Sequence, residues 1–427
     1  MRKLDNLERA WRVIKQNGRS SNSETVRLDL EQFAEDAPQK LRSLKGRLGR
    51  NSFEFEKAKG VPIPKVDAKG KPTGKIRPIV LAPVESRVVQ RAVLNVLVDQ
   101  EELKPYIATP YSFGGIRSTR KRGEQKRDEQ VAAVPAAIKA VLDEIGQGRC
   151  YIATADIRAF FTRVSKEHVL GVISAAIGND SEFISFLRKA ITVELANIAF
   201  LKEYAADFPT ADIGVAQGNS LSPLLGNIAL ADFDLIMNEG DCRCIRYIDD
   251  FVIMAPTAKA ANARLAKAIK LLSALGMQLS PEKSSKGAAP VDSGFEFLGV
   301  YIGPGLIRPG AKAQARFLES ISDAFASSRK AMIGLKNGVA LESDRSLVAT
   351  LKRVGGMVDG WGKHYWFCND GQVFAGLDQR ISAEVGAFLG VYRAVRDAVP
   401  PKFQMPLLGL SELAQMSREP FKYPTKR

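Results

Sequence analysis

Residues 245–254 read "IRYIDDFVIM", with two adjacent acids, Asp249 and Asp250, set between apolar runs. Like charges side by side repel, and burying them unpaired is costly. A divalent cation removes that cost, because Mg²⁺ prefers hard oxygen ligands and is commonly held by one or two carboxylates plus substrate phosphates. Taken alone, the pair reads more simply as an Asp-rich turn. A third acid changes that reading. "YIATADIRAFF" (151–161) is another apolar run ending in an acid, Asp156, followed by aromatics. If the two segments are neighbouring strands, Asp156 reaches the same end of the sheet as Asp249. Carboxylates gathered there suit two-metal phosphoryl transfer. One ion would activate a hydroxyl and the other hold a triphosphate and its leaving pyrophosphate, with the ions about 3.5–4 Å apart. The protein's part would then be position and charge.

The remaining sequence must place those acids. Around them the order is strand (149–157), helix (165–177), a long amphipathic helix (220–240) starting near Pro223, and strand–Asp-Asp–strand (242–255). A strongly periodic helix (258–276) and a strand pair or hairpin edge (293–303) follow. This is the βαββαβ order of a ferredoxin-like sheet with helices on one face. Upstream, 1–50 read as helical, with Trp11, Val13 and Ile14 on one side. The β-branched runs of 61–83, punctuated by Pro and Gly, predict a hairpin with a basic tip. Apolar spacing predicts a helix over 85–103. Another is predicted over 131–148, interrupted early by Pro135. Phe317, Ile321, Phe325 and Met332 open a helical C-terminal module, expected to break at Gly355-Gly356 and at Pro400-Pro401.

The chain has 427 residues and a net charge of +15, which points to a polyanionic partner, most often nucleic acid. "RSTRKRGEQKR" (117–127) concentrates six basic residues around one acid, although such a run also suits a solvated loop. Four scattered cysteines do not make a disulfide framework, and Cys242 and Cys244 have no second pair or nearby histidine for a zinc site. No apolar stretch is long enough to span a bilayer, and the N-terminus does not read as a signal peptide. A soluble, cytoplasmic chain with no membrane partner is expected.

The motifs, in order, resemble those of a reverse transcriptase: "GKIRPIVLAPVESRVVQRAV", "ADIRAFF", "GVAQGNSLSPLLGNIAL", "YIDD", "LSPEKSS" and "FEFLGVYI". The resemblance covers about 60–305 well and the C-terminus less clearly. It implies an α+β right-hand polymerase with fingers, a ferredoxin-like palm and a helical thumb. The implied divisions are an N-terminal extension (1–60), fingers (61–148), palm (149–305, with fingers elements around 165–215) and thumb with tail (306–427). It implies an enzyme that extends a primer with dNTPs on an RNA template, releasing a DNA product and using two Mg²⁺ ions, or Mn²⁺. Asp156 and Asp249 match the metal-binding aspartates, joined by the backbone carbonyl of Ile157, and Asp250 matches the second acid of the turn.

Lys75 and Arg77 match the fingers' triphosphate contacts, and Arg158 lies where intron-type enzymes tend to carry a lysine. Gln217 matches the residue lining the template and nucleotide pocket, and Gly218 would let backbone approach nucleic acid. Lys283 matches a candidate general acid toward pyrophosphate; a plain surface lysine is the other reading. Phe161, five residues after Asp156, stands where related RNA-dependent RNA polymerases usually put an acid that accepts a bond from the ribose 2′-hydroxyl. A phenyl ring there favours deoxynucleotides, although one of Phe160 and Phe161 is expected simply to pack. "GGMVDGWGKHYWFCND" (355–370) resembles the thumb of intron maturases. Trp361, Tyr365 and Trp366 suit thumb core or duplex contact. Arg117, Arg120, Lys121, Arg122, Lys352, Arg353 and Lys363 are the candidate nucleic-acid contacts.

Two subclasses fit. One is a free-standing bacterial enzyme like the defence-associated (antiphage) reverse transcriptases, several of which copy a dedicated structured noncoding RNA. The other is a group II intron maturase without endonuclease. "YSFGGIRSTRKRG", where intron enzymes usually carry "SYGFRPGRS", and the size of the chain favour the first. A reading from another class is a non-catalytic RNA-binding module on a dead polymerase fold; retention of all three acids speaks against it.

Overall fold

The computed structural model describes residues 1–19, 21, 23–66, 71–115, 133–178, 180–411, 413, 416–419 and 421. The basic candidates Arg117, Arg120, Lys121 and Arg122 lie outside the described residues, as does the expected hairpin tip at 67–70. The chain divides into two compact units, Met1–Ser293 and Gly294–Arg427. The expected palm limit at 305 falls inside the second unit.

The first unit opens with three helices, Leu4–Arg19, Glu24–Glu35 and Ala37–Gly49. Their apolar stripe packs on the helix Val84–Val98: Leu7, Ala10, Trp11 and Ile14 share a core with Val88, Val89 and Ala92. Between them lies an antiparallel hairpin, β1 (Lys59–Val66) and β2 (Pro72–Leu81). Pairing slips between Pro64 and Val66, leaving Lys65 at a bulge. On β2 Pro78 and Val80 point inward while Lys75 and Arg77 are exposed, as period-two alternation requires.

The central sheet has five strands in the order β3-β5-β6-β4-β7, where β3 is Ser112–Phe113, β4 Tyr151–Asp156, β5 Arg243–Tyr247, β6 Asp250–Ala255 and β7 Ala289–Pro290. Without the parallel edge strand β3, the order is that of a ferredoxin-like βαββαβ unit. Beneath it, Ala153, Ala155, Cys244, Phe251 and Ile253 share a core with Leu224, Ile228, Phe233 and Leu272. β6 is buried almost throughout, which explains its unbroken apolar run. The helix Lys166–Ile177 is capped by Ser165, whose Oγ accepts from the His168 N–H at 3.2 Å.

Four expectations need correction. The last strand of the βαββαβ unit is Ala289–Pro290 and not the run 293–303, whose strands pair in a separate sheet. The helix expected over 220–240 is two, Ser222–Ala229 and Ala231–Met237, parted at Leu230 where the backbone leaves helical geometry. Pro135 does not break its helix, since it lies within Ala133–Gly146, which continues unbroken to Gly146. Gly355 and Gly356 do not break the C-terminal module, since both lie inside the helix Leu347–His364.

The second unit begins with a separate antiparallel sheet, β8 (Phe295–Phe297), β9 (Val300–Gly303) and β10 (Leu306–Pro309). The helices Ala311–Lys336, Leu347–His364 and Gly371–Arg396 follow. Trp361 stacks on Phe317 with centroids 4.4 Å apart and lies 4.6 Å from Tyr365. Trp361 and Tyr365 are therefore core, whereas Trp366 is two-thirds exposed.

Candidate active site

Strand register brings the three acids together. β4 pairs with β6 so that Asp156 stands opposite Asp250, and β5 pairs with β6 so that Tyr247 faces Asp250 across a two-residue turn, Ile248-Asp249. The N–H of Ile157 donates to the carbonyl of Asp249 at 2.9 Å, closing the end of β4 on that turn. Ile248 has φ +60°, a conformation that β-branched residues rarely adopt. Past Asp156 the chain reverses at Ala159, also at positive φ, into the short helix Phe160–Arg163. Phe160 is buried against Gly226, and Phe161 is the half-buried ring of the pair.

"LSPEKSS" is stitched along β4 by its serines. The Ser280 N–H donates to the Asp156 carbonyl at 2.7 Å, and the Ser285 N–H to that of Thr154 at 2.8 Å. Oγ of Ser284 accepts from the Asp156 N–H at 3.2 Å and Oγ of Ser285 from the Thr154 N–H at 3.0 Å. This seam sets Lys283 over the acids, its Nζ 2.6 Å from Oδ2 of Asp156.

The electrostatics follow from burial and crowding. Burial, a hydrogen bond with the Asp156 carboxyl and the charge of Asp249 push Asp250 up to about 7. Burial and the charge of Asp156 also raise Asp249. Burial works against the Lys283 charge, but its bond to Asp156 and the three carboxylate charges outweigh it and raise its pKa. Lys65 is lowered, first by burial and then by the charges of Lys283 and Arg77. It was not picked out in the sequence; the signal was its place in a run of basic residues (65, 69, 71, 75, 77) around a predicted turn. Lys75 bonds Glu282 at 2.5 Å, and Arg158 is exposed close enough to act on the Glu282 charge. Glu282 was likewise missed.

Gln217 is half-buried, and its carbonyl accepts from the Val80 N–H at 2.8 Å. Gly218 has φ +114°, and a Cβ there would lie 2.6 Å from the Val80 carbonyl oxygen. A close approach that requires glycine is therefore made by the chain's own β2. Lys352, Arg353 and Lys363 are exposed on one helix of the second unit. Lys352 and Lys363, three turns apart, differ in direction by only about 20°.

Among the described residues no three His, Cys, Asp or Glu side chains are already gathered as a finished ion site. The donor set nevertheless fits a divalent ion: hard oxygens of three acids at one strand end, two with raised proton affinity and one already bound to an ammonium. Among the described residues no helix is long and apolar enough to cross a membrane.

Comparison with known proteins adds the family. The profile described as "Reverse transcriptase (RNA-dependent DNA polymerase)" matches residues 63–302, more than half of the chain. Protein YkfC of Escherichia coli (strain K12) is 25% identical over 295 residues, covering 61% of this chain and 70% of its own. Among solved structures, "Partial Cas6-RT-Cas1--Cas2 complex" is 18% identical with a TM-score of 0.34, covering 64% of this chain and 41% of that one. Apo telomerase from Candida tropicalis, truncated from its C-terminal domain, is 16% identical with a TM-score of 0.39, covering 58% and 53%. The chain thus spans about half or less of those structures. With the profile running from the β1–β2 hairpin through the ferredoxin-like sheet and both acidic strand ends, the chain belongs to the reverse transcriptase family, the RNA-directed DNA polymerases.

Proposed function

We propose that the chain extends a primer with dNTPs on an RNA template by two-metal nucleotidyl transfer at Asp156, Asp249 and Asp250. The observation that carries this reading is the register of β4 on β6, which sets Asp156 opposite Asp250 beside the Asp249 turn. Asp156, Asp249 and Asp250, with the Ile157 carbonyl, would hold the Mg²⁺ ions. When bound, the ions supply Lewis-acid charge for the primer hydroxyl and the leaving pyrophosphate. Lys65, Lys75 and Arg77 line the hairpin side of the site and bind the triphosphate, with Arg158 at its edge. Lys283 keeps its proton near the acids and delivers it from Nζ to the departing pyrophosphate. Phe161 blocks the 2′-hydroxyl of a ribonucleotide, and Gln217 lines the pocket from the β2 side. Lys352, Arg353 and Lys363 contact backbone phosphates of the duplex.

The biological setting we propose is antiphage defence, with a dedicated noncoding RNA as template. The departure at "YSFGG" supports it over an intron maturase. The test is primer extension on an RNA template with dNTPs and Mg²⁺. The wild-type chain should make cDNA, and Asp249→Ala should make none while still binding the primer–template. No product from wild type with intact binding would refute the polymerase reading. Sequencing the RNA and cDNA that co-purify tests the setting; intron RNA in place of a distinct structured RNA would overturn it.

A further inference from the structure

Directly behind the acidic turn lies a buried charge with no part in the nucleotidyl transfer proposed for the acids. Arg246 and Asp234 are both fully buried. A guanidinium has five N–H donors in a rigid plane, and here each has an acceptor. Nε donates to Oδ1 of Asp234 at 2.7 Å and Nη2 to its Oδ2 at 2.5 Å. Nη2 also donates to Oγ of Ser112 at 2.8 Å. Nη1 donates to Oδ1 of Asn227 at 3.3 Å and to the Ile248 carbonyl at 2.9 Å. Thr109 completes the set, its Oγ1 donating to Oδ2 of Asp234 at 2.5 Å.

The partners come from separate parts of the chain. Ser112 belongs to "YSFGG", Asn227 ends "QGNSLSPLLGN", and Asp234 lies on the next helix. Only the fifth acceptor, the Ile248 carbonyl, belongs to the turn. That residue sits at φ +60°, where a β-branched side chain is disfavoured. The Asp249 backbone is therefore held from both sides. Arg246 fixes the carbonyl before it, and the Ile157 N–H bonds its own carbonyl at 2.9 Å.

We propose that Arg246 is a positioning residue: its guanidinium, anchored by Asp234, Asn227 and Ser112, fixes the Ile248–Asp249 peptide and so aims the carboxylates of Asp249 and Asp250. The proposal rests on the reading that those carboxylates hold the divalent ions.

The test removes the tether without stranding a buried charge. Replacing a buried ion pair by apolar residues of similar size is often tolerated, so Arg246→Met is combined with Asp234→Leu. Arg246→Lys is a second variant that keeps the charge but not the five-donor fork. Single-nucleotide addition is followed against dNTP and against Mg²⁺, beside primer–template binding. Misaimed carboxylates should lower kcat by about 100-fold and raise the Mg²⁺ concentration giving half-maximal rate several-fold. KM for dNTP and the primer–template Kd should stay unchanged. A merely structural role would reduce the active fraction and leave the Mg²⁺ dependence where it was.

Wild-type kcat and Mg²⁺ dependence in the folded double variant, or in Arg246→Lys where the double variant does not fold, overturns the proposal. Asp249→Ala is run in parallel. If it is inactive while the Arg246 variants match wild type, the positioning role alone falls. If Asp249→Ala extends primers at the wild-type rate, the carboxylate reading falls and takes this proposal with it.

Discussion

Divalent-ion binding should carry the signature of a proton that must leave. Asp250 is pushed up to about 7 by burial, its bond to Asp156 and the charge of Asp249. A metal ligand must be ionised, so the ion competes with that proton. For one group titrating at about 7, apparent Mg²⁺ affinity should be about 25-fold weaker at pH 5.5 than at pH 7.5. Binding should release roughly 0.8 proton at pH 6.5 and roughly 0.1 at pH 8. Isothermal titration calorimetry in buffers of different ionisation enthalpy measures both. Asp250→Asn should flatten the pH profile. The metal-free fold should respond with the opposite sign. A carboxyl whose folded pKa is raised is stabilising below its unfolded value near 4, and that stability is lost as pH rises through about 7. The loss between pH 5.5 and 7.5 is about 2 kcal/mol for this group. Mg²⁺ affinity that is flat from pH 5.5 to 7.5, or a profile unchanged in Asp250→Asn, would refute the assignment of Asp250 to the ion site.

Other consequences are more local. Phe161→Ala removes the half-buried ring but leaves Phe160 packed on Gly226; it should raise ribonucleotide incorporation relative to dNTP, and unchanged discrimination in single-nucleotide assays would exclude the gate. Gly218→Ala sets a Cβ 2.6 Å from the Val80 carbonyl at φ +114°; about 2–4 kcal/mol of lost stability is expected in denaturant unfolding, and a loss under 1 kcal/mol would show that the loop yields. Glu282→Gln frees Lys75 from its exposed partner; KM for dNTP should fall with stability unchanged, whereas a rise in KM would mean that Glu282 positions Lys75 for substrate.

The acids were legible because their signal is local: an apolar strand that stops on Asp reads as a strand end, and two such ends in βαββαβ order must lie near one another. Asp156 and Asp250 are indeed paired across β4 and β6. Less could be read where tertiary contact overrides local pattern. The periodicity of 220–240 is continuous, but the turn at Leu230 splits it. Gly355 and Gly356 lie on the exposed side of a packed helix, where lost propensity is outweighed by the apolar stripe. Lys65 owes its place to a bulge, and a bulge is a property of pairing between two strands. At Gly218 the close approach of β2 depends on a strand distant in sequence, which the local motif does not reveal.

Arg246 shows what a motif leaves unsaid. It stands in "IRYIDDFVIM", inside an apolar strand where a charge is as unexpected as the two acids beside it. The acids have an evident chemistry of their own. The arginine's purpose depends on five acceptors on four residues spread from Ser112 to Ile248, and no spacing in one segment reveals that. The polar letters of the other motifs behave similarly. The hydroxyls of Ser284 and Ser285 bond β4, and that of Ser222 bonds the Ala216 carbonyl at 2.6 Å. None of these side chains need touch a nucleotide. Apolar burial can hold a sheet together, but it cannot fix the rotation of one peptide at a strand end, because it has no direction. Hydrogen bonds to buried partners do have direction. Where carboxylates must meet ions within a fraction of an ångström, the polar residues around them therefore belong to the positioning of the site as much as to the fold.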